Sequence, residues 1–173
     1  PEYAANVFAS AEHVTLKCSY PKDFNDPYEL FLAVDSSIEP NHLAFYKDVI
    51  GDMPQRPTTC FSRFPTVIPM WAHYANSMQG FVIELDEDCL SKHFSESIFE
   101  DVEYRDTPNE NAFEWLHHAS VIGKPRYIYL LQNSVFHAAY FSKSTSWNYE
   151  HERRMVVNDS AIRLVEGSML IDV

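Results

Sequence analysis

A strand, helix and strand pattern near the middle of the chain constrains the fold more than any other feature of the sequence. It comprises a short strand at residues 58–62, a helix at residues 69–78 and a second strand at residues 80–85. One face of the predicted helix carries apolar side chains at i, i+3 or i+4, and i+7, namely Trp71, Tyr74 or Ala75, and Met78. Such a stripe is typical of a helix that packs on a sheet, so we expect it to be buried.

Further strands and helices are predicted on both sides of this pattern. Strands are predicted at residues 13–19, 101–105 and 147–157, with one or two more within 161–173. Helices are predicted at residues 41–50, 112–122 and 125–141, and another begins at Asp26, where Asp, Pro, Tyr and Glu follow one another as in a capped helix start. This order predicts one α+β domain over residues 1–173, with a split, mostly antiparallel sheet and peripheral helices.

The net charge of the chain limits the classes of partner it can bind, and its cysteines indicate the compartment. The formal net charge is −12, from 25 acidic and 13 basic side chains. A phosphate backbone is repelled by such a charge, so autonomous nucleic-acid binding is disfavoured, whereas a basic partner protein is not. Cys18, Cys60 and Cys89 lack C-x-x-C spacing, which fits a reducing compartment. No apolar run approaches the roughly 18 residues of a membrane helix, so we expect a cytoplasmic protein without a membrane partner.

Residue spacing disfavours several kinds of chemistry. Only four glycines occur, and they form no glycine-rich phosphate cradle of the P-loop or Rossmann type. No Gly-x-Ser-x-Gly elbow surrounds Ser62, which disfavours a serine hydrolase. His117 and His118 are adjacent on a predicted helix, where neighbours diverge by about 100 degrees, so they are unsuited to one metal ion. We predict no metal site.

Three groups of short motifs, in order along the chain, resemble those of a known family. They are FNDPYE at residues 24–29, then CFS at 60–62 with MWAHYA at 70–75 and GF at 80–81, then WNYEHERR at 147–154. Together they resemble DUF2971, a bacterial family of domains of unknown function. Its members usually carry an aromatic and basic first strand ahead of the first motif. The chain starts at Pro1 without Met, so we expect that strand to be missing from it.

The order of the elements between residues 60 and 84 is also similar to the split-sheet core of ADP-ribosyltransferases. In those enzymes a strand leads into a helix with an aromatic ring beside nicotinamide, and a later strand carries the catalytic Glu. This resemblance implies that NAD is a substrate and that Ser62, Trp71, His73 and Tyr74 bind it. From the residues alone, His73 and Tyr74 are more often explained as core side chains with satisfied polar tips than as ligands.

Two carboxylates are candidates for the chemistry that such an enzyme performs. Cleavage of the nicotinamide glycosidic bond produces an oxocarbenium-like sugar, which a nearby carboxylate stabilises. On a strand over residues 147–157, Glu150 and Glu152 share one face, with Arg154 next along it. We predict Glu152 as the principal catalytic residue and Glu150 as the second, since the Glu-x-Glu context resembles the acidic pair of some transferases. The alternative is a solvated, salt-bridged strand edge.

Three functions remain open at this point. The leading hypothesis is an NAD-dependent ADP-ribosyltransferase-like effector, and the resemblance implies a bacterial toxin or antiviral defence protein with a protein or nucleic-acid acceptor. The second is a non-catalytic interaction module whose aromatic and acidic surface binds a partner protein such as an antitoxin or sensor. The third is a nucleotide or glycoside hydrolase with two carboxylates, Glu84 and Glu152, about 5 to 10 Å apart.

Overall fold

The computed structural model describes residues 14–26, 40, 44, 55–107, 121–122, 135–157, 162–165 and 168–172. The chain forms two compact units. Unit 1 comprises Pro1–Asp23, Arg56–Asp101 and Tyr149–Val173, and unit 2 comprises Phe24–Gln55 and Val102–Asn148. No helix in the described ranges is long and apolar enough to span a membrane.

The elements of the described residues are short. The strands are β1 (Thr15–Cys18), β2 (Thr58–Ser62), β3 (Ile98–Asp101), β4 (Glu103–Tyr104), β5 (Ser142–Lys143), β6 (Glu152–Val156), β7 (Arg163–Val165) and β8 (Ser168–Asp172). The α-helices are α1 (Ile68–Tyr74), α2 (Glu87–His93) and α3 (Val135–Tyr140), and 3-10 helices cover Pro21–Asp23 and Thr145–Glu150. The predicted mixture of helices with antiparallel sheets is therefore confirmed.

Unit 1 contains two antiparallel sheets of three strands each. One has the order β1-β8-β7 and the other the order β2-β6-β3. In the second sheet, Arg153 of β6 pairs with Phe61 on one side and with Asp101 on the other. The main chains of Ser19 and Thr58 exchange hydrogen bonds of 3.0 and 2.9 Å, and these join the end of β1 to the start of β2.

The core of unit 1 forms where α2 packs against the strands. It contains Cys18, Leu90, Phe94, Met155, Val157 and Ile171. Helix α2 begins at a capping residue, Asp86, whose Oδ1 accepts a hydrogen bond of 3.0 Å from the amide of Cys89. Asp at this position satisfies one of the free amides of the first helical turn. Spacing of i and i+4 then directs Leu90 and Phe94 to the same side of the helix, toward the sheet residues of this core.

Unit 2 contributes the parallel pair β4 and β5 together with α3. Its buried apolar side chains include Val102, Ala139, Tyr140 and Phe141. The carboxylate of Asp106 accepts hydrogen bonds from the Ser144 hydroxyl at 2.8 Å and from the Thr145 amide at 3.0 Å. These bonds fix the chain where the second 3-10 helix begins. The pKa of Asp106 lies below its ordinary value, mainly because the Thr145 hydroxyl also donates to its carboxylate, with the Ser144 hydroxyl and the Thr145 amide adding to the effect.

Most of the predicted strands are present with shifted bounds. The prediction for residues 58–62 is confirmed by β2, and the predictions within 13–19 and 161–173 are confirmed by β1, β7 and β8. The strand predicted at 101–105 is divided between the end of β3 and β4. The predicted helices after Asp26, at 41–50 and at 112–122 lie largely outside the described residues, as does most of the one at 125–141, where α3 is helical as expected.

The prediction of a buried apolar stripe on the helix at 69–78 is wrong. Helix α1 ends at Tyr74, because Asn76, Ser77 and Met78 adopt left-handed conformations with φ of 46, 56 and 70 degrees. Met78 therefore lies beyond the helix, and the i+7 position of the stripe does not exist. No residue of α1 is buried, and Tyr74 and Met78 are 51% and 56% exposed.

The strand predicted at 80–85 is also absent, and the one predicted at 147–157 starts later than expected. Residues 80–85 have no strand partner among the described residues, because the amide of Gly80 donates to the carbonyl of Ala75 at 2.8 Å and so closes a turn. The strand predicted at 147–157 begins only at Glu152, since Thr145–Glu150 is a 3-10 helix. His151, which lies between the two, has a left-handed φ of 44 degrees. Glu150 and Glu152 therefore do not share a strand face.

Candidate functional site

Glu152, the residue predicted as the principal catalytic carboxylate, forms a buried ion pair with Arg154. Nε of Arg154 donates to Oε1 at 2.6 Å and Nη2 donates to Oε2 at 3.2 Å. The two residues project from one face of β6, as the period of a strand requires. A carboxylate whose oxygens both accept from a guanidinium is already compensated, so it has little left to stabilise a charge elsewhere. The pair is not a solvated edge either, because β6 is the central strand.

Glu150 is the predicted carboxylate that contacts helix α1. The hydroxyl of Tyr74 donates to Oε1 of Glu150 at 2.7 Å, and the hydroxyl of Ser62 donates to the main-chain oxygen of Glu150 at 2.7 Å. Glu150 is buried, whereas the Tyr74 side chain is half-exposed. Three of the predicted site residues, Ser62, Tyr74 and Glu150, therefore lie together, whereas Glu152 pairs with Arg154.

Aromatic rings surround this contact. The His73 ring lies 6.2 Å from that of Tyr74 and 6.2 Å from that of Tyr149, between centroids. The ring of Phe64 meets that of His151 edge-on at 4.8 Å. These separations are within the range of favourable aromatic pairs. The alternative prediction that His73 is a core residue is wrong, because its side chain is exposed.

Trp71 closes the turn that precedes helix α1. Its indole Nε1 donates to the carbonyl of Pro65 at 2.7 Å. Its own carbonyl accepts from the amides of Ala75 and Met78 at 3.3 and 3.0 Å. The visible role of Trp71 is therefore to fold residues 65–78 into one compact piece of chain. Stacking on a nicotinamide ring stays a prediction.

Residues 64–83 form an exposed stretch of chain without formal charge, termed the uncharged segment. No Asp, Glu, Lys or Arg occurs between positions 64 and 83. Its exposed large apolar side chains are Phe64, Ile68, Tyr74, Met78, Phe81 and Val82. This surface was not predicted from the sequence, because two of its side chains, Tyr74 and Met78, were assigned to a buried helix face. The signal that could have revealed it is the absence of charge over the whole stretch.

Ion pairs hold the two ends of the uncharged segment together. Arg63, immediately before it, donates to both oxygens of Asp101 at 2.9 Å and to Oε2 of Glu87 at 3.1 Å. Arg153 on β6 pairs with the same two acids. Hydrogen bonds from Arg63 hold the pKa of Asp101 below its ordinary value of 3.8, with the charge of Arg153 adding to the effect. The entry to the segment at Arg63 and its exit toward Glu87 therefore lie side by side.

The main chain anchors the same point. The amide of Arg63 donates to the carbonyl of His151 at 3.1 Å, next to the Ser62 hydroxyl contact with Glu150. Among the described residues, no group of three or more His, Cys, Asp and Glu side chains is placed to hold a metal ion. The chemistry visible in this region is therefore that of hydrogen bonds, rings and apolar surface.

The comparisons with known proteins agree with the motifs. The fold and the site define an α+β domain. It has two small antiparallel sheets and a helix whose aromatic side chains are held by hydrogen bonds. Residues 70–155 match the family described as Protein of unknown function (DUF2971). That segment includes the motifs at 70–75, 80–81 and 147–154, so the predicted family is confirmed. No curated protein and no solved structure matched the chain, and the ADP-ribosyltransferase resemblance stays a prediction.

Proposed function

We propose that this chain is a protein-interaction module and that the uncharged segment, residues 64–83, is its contact surface. The observation that carries the proposal is the exposure of six large apolar side chains within one uncharged stretch. Large apolar side chains exposed together along one stretch of chain are costly in water, and such exposure often marks a place where another molecule binds. Aromatic residues and Met, which supply Phe64, Tyr74, Met78 and Phe81 here, are enriched in protein interfaces.

The anchoring of the segment supports the same proposal. Tyr74 bonds to Glu150, Trp71 bonds to Pro65, and Arg63 bonds to Glu87 and Asp101. Each of these bonds fixes the polar or backbone part of the segment and leaves apolar side chains exposed. A surface held in one conformation before binding loses less entropy when the partner arrives.

The state of Glu152 is a further argument for binding over catalysis. An enzyme of the predicted transferase type needs its principal carboxylate beside the reacting sugar. Both oxygens of Glu152 accept from Arg154 instead, and both side chains are buried. The hydrolase hypothesis requires the same carboxylate together with Glu84 and has no observation in its favour.

The experiment compares two equally exposed apolar residues of unit 1. Ile68 in the uncharged segment is 68% exposed and Leu164 on β7 is 73% exposed. A photo-crosslinking amino acid is placed at each position in cells that make the protein, and the adducts are identified by mass spectrometry. We expect one partner protein captured from position 68 and none from position 164.

The captured partner is then purified and its affinity measured by calorimetry. Ile68→Ser and Phe81→Ser should each weaken binding by about tenfold or more, as for residues at the centre of an interface, whereas Leu164→Ser should not. The proposal is contradicted if both positions capture the partner equally, or if Ile68→Ser does not change the affinity of the partner.

A second candidate is the NAD-dependent ADP-ribosyltransferase-like effector, with Glu150 in place of Glu152. It is favoured by one observation, the 2.7 Å bond from Tyr74 to Glu150, which joins a predicted cofactor-binding residue to a predicted catalytic one. In this reaction the bond between ribose C1′ and the nicotinamide nitrogen breaks and nicotinamide leaves with the electron pair. The carboxylate of Glu150 would stabilise the cationic sugar until an acceptor nucleophile binds C1′. The toxin or defence role implied by the resemblance belongs to this candidate.

Release of nicotinamide from NAD in the presence of cell lysate tests this candidate. Glu150→Gln should abolish release, and Glu84→Gln, which changes an exposed acid in the same way, should not. Release that survives Glu150→Gln, or no release by the folded protein, removes the candidate. The crosslinking result is independent of either outcome.

A further inference from the structure

We infer that the partner of the uncharged segment presents an apolar strip flanked by lysine or arginine side chains. This inference rests on the proposed interaction function and specifies the chemistry of its partner. It rests on the distribution of charge around the segment and on the ion pair between Arg63 and Glu87, which joins the two ends of the segment.

The chain leaves the uncharged segment directly into acidic residues. Four acids occur at positions 84 to 88, namely Glu84, Asp86, Glu87 and Asp88, and the first basic residue after Arg63 is Lys92. Of the four, Glu87 is compensated by Arg63 and Arg153. Asp86 caps helix α2, while Glu84 and Asp88 are exposed, so the exit of the segment carries net negative charge.

The ion pairs place this negative charge beside the apolar surface. Arg63 directly precedes Phe64, and its guanidinium reaches Glu87 at 3.1 Å. Asp86 and Asp88 flank Glu87 along the chain, so they lie at the same edge as the start of the segment. An apolar face with acids along one edge is complementary to an apolar strip with basic residues beside it.

Other occupants fit this charge poorly. A second copy of the chain brings another formal charge of −12 and the same acidic edge. Anionic lipid surfaces and nucleic acid are repelled for the same reason. A basic protein partner is the one occupant whose charge is attracted and whose apolar residues gain from burial.

Two synthetic amphipathic peptides of equal length serve as probes. Both carry the same leucine face, one with lysine and the other with glutamate along its polar edge. Fluorescence anisotropy with the intact protein should show that the lysine peptide binds about tenfold tighter, and that this preference falls as salt is raised from about 0.05 to 0.3 M. Glu84→Gln and Asp88→Asn should each reduce the preference about two- to threefold, because each removes one charge at the edge.

Control variants separate the inference from the function on which it rests. Asp23→Asn removes an exposed acid from another part of unit 1 and should leave the preference unchanged. If both peptides bind equally and Ile68→Ser abolishes binding, the contact surface stands and the inference of a basic partner is overturned. If neither peptide binds, or if Ile68→Ser leaves peptide binding unchanged, both proposals fail. Self-association in sedimentation, or binding to phosphatidylglycerol vesicles in place of the lysine peptide, identifies a different occupant and also overturns the inference.

Discussion

Glu152 and Arg154 form a two-point ion pair inside the central strand of the β2-β6-β3 sheet, two residues apart along the chain. Their oxygen and nitrogen atoms lie 2.6 and 3.2 Å apart, and both side chains are buried. Loss of one partner leaves an uncompensated charge in the interior, which costs far more than the pair itself contributes. The pair therefore gives Glu152 a structural role that must be separated from any catalytic one.

Substitution of either member should destabilise the protein. Glu152→Gln removes the carboxylate charge that pairs with Arg154, and we expect a loss of about 3 to 5 kcal/mol in the free energy of unfolding. Arg154→Leu should cost a similar amount, whereas the double variant Glu152→Leu with Arg154→Leu should recover most of the loss. Urea unfolding followed by circular dichroism measures all three. A single variant within about 1 kcal/mol of the wild type contradicts the assignment.

Asp101 should make stability depend on pH in the acid range. Its pKa in the folded state is lowered, mainly by hydrogen bonds from Arg63, so the ionised form stabilises the native state. That contribution is complete above the unfolded pKa, near the ordinary value of 3.8, and it is lost as pH falls through the lower folded value.

Unfolding free energies of the wild type and Asp101→Asn therefore should differ by a constant amount above about pH 5 and converge below about pH 4. Asp23→Asn is the control, since it removes an acid outside the ion-pair network. A wild-type advantage that persists unchanged at the lowest pH would falsify the role given to Asp101.

Gly80 should resist substitution because its neighbours leave no room for a methyl group. A Cβ atom at this position would lie 2.9 Å from both Cα and Cβ of Ala75, and the Cα is part of the backbone and cannot rotate away. We expect Gly80→Ala to cost about 1 to 3 kcal/mol and to weaken partner binding, since it displaces the turn after α1. Gln79→Ala, one residue earlier and exposed, should change neither quantity by more than about 0.5 kcal/mol. Thermal unfolding and peptide binding of the two variants check this.

The three cysteines should react at two distinct rates. All three are free, and Cys60 and Cys89 are exposed, whereas Cys18 is buried beside Thr59, with Sγ and Oγ1 3.1 Å apart. Burial raises the pKa of the Cys18 thiol, which reduces the reactive thiolate. Reaction of the native protein with a thiol reagent should label two cysteines quickly and the third only on unfolding. Fast labelling of all three shows that Cys18 is accessible.

Part of the fold could be predicted from the sequence because local pattern and tertiary structure agree there. The strand at 58–62 was predicted at its observed bounds, and the family was recognised from motifs at 70–75 and 147–154. The 3-10 helix at Thr145–Glu150 was missed, since its aromatic and polar residues are equally compatible with a strand. The start of β6 is set by its pairing with β2, in which the last paired residues are Ser62 and Glu152.

The exposure of helix α1 could not be predicted for a different reason. Apolar spacing shows that a face avoids water, but it does not show whether the chain itself or another molecule covers that face. Trp71, Tyr74 and Met78 were assigned to the core on spacing alone. The left-handed conformation of residues 76–78 ends the helix early, and the spacing of apolar residues gives no sign of it.

The strand orders have a consequence for synthesis of the chain. The central strand of each three-stranded sheet, β6 in one and β8 in the other, comes from the last quarter of the sequence, while β1, β2 and β3 are made earlier. The early strands therefore leave the ribosome before their pairing partners exist. Neither sheet can close until residues 152–172 have emerged, so β1, β2 and β3 remain without their central strands while the intervening chain is synthesised.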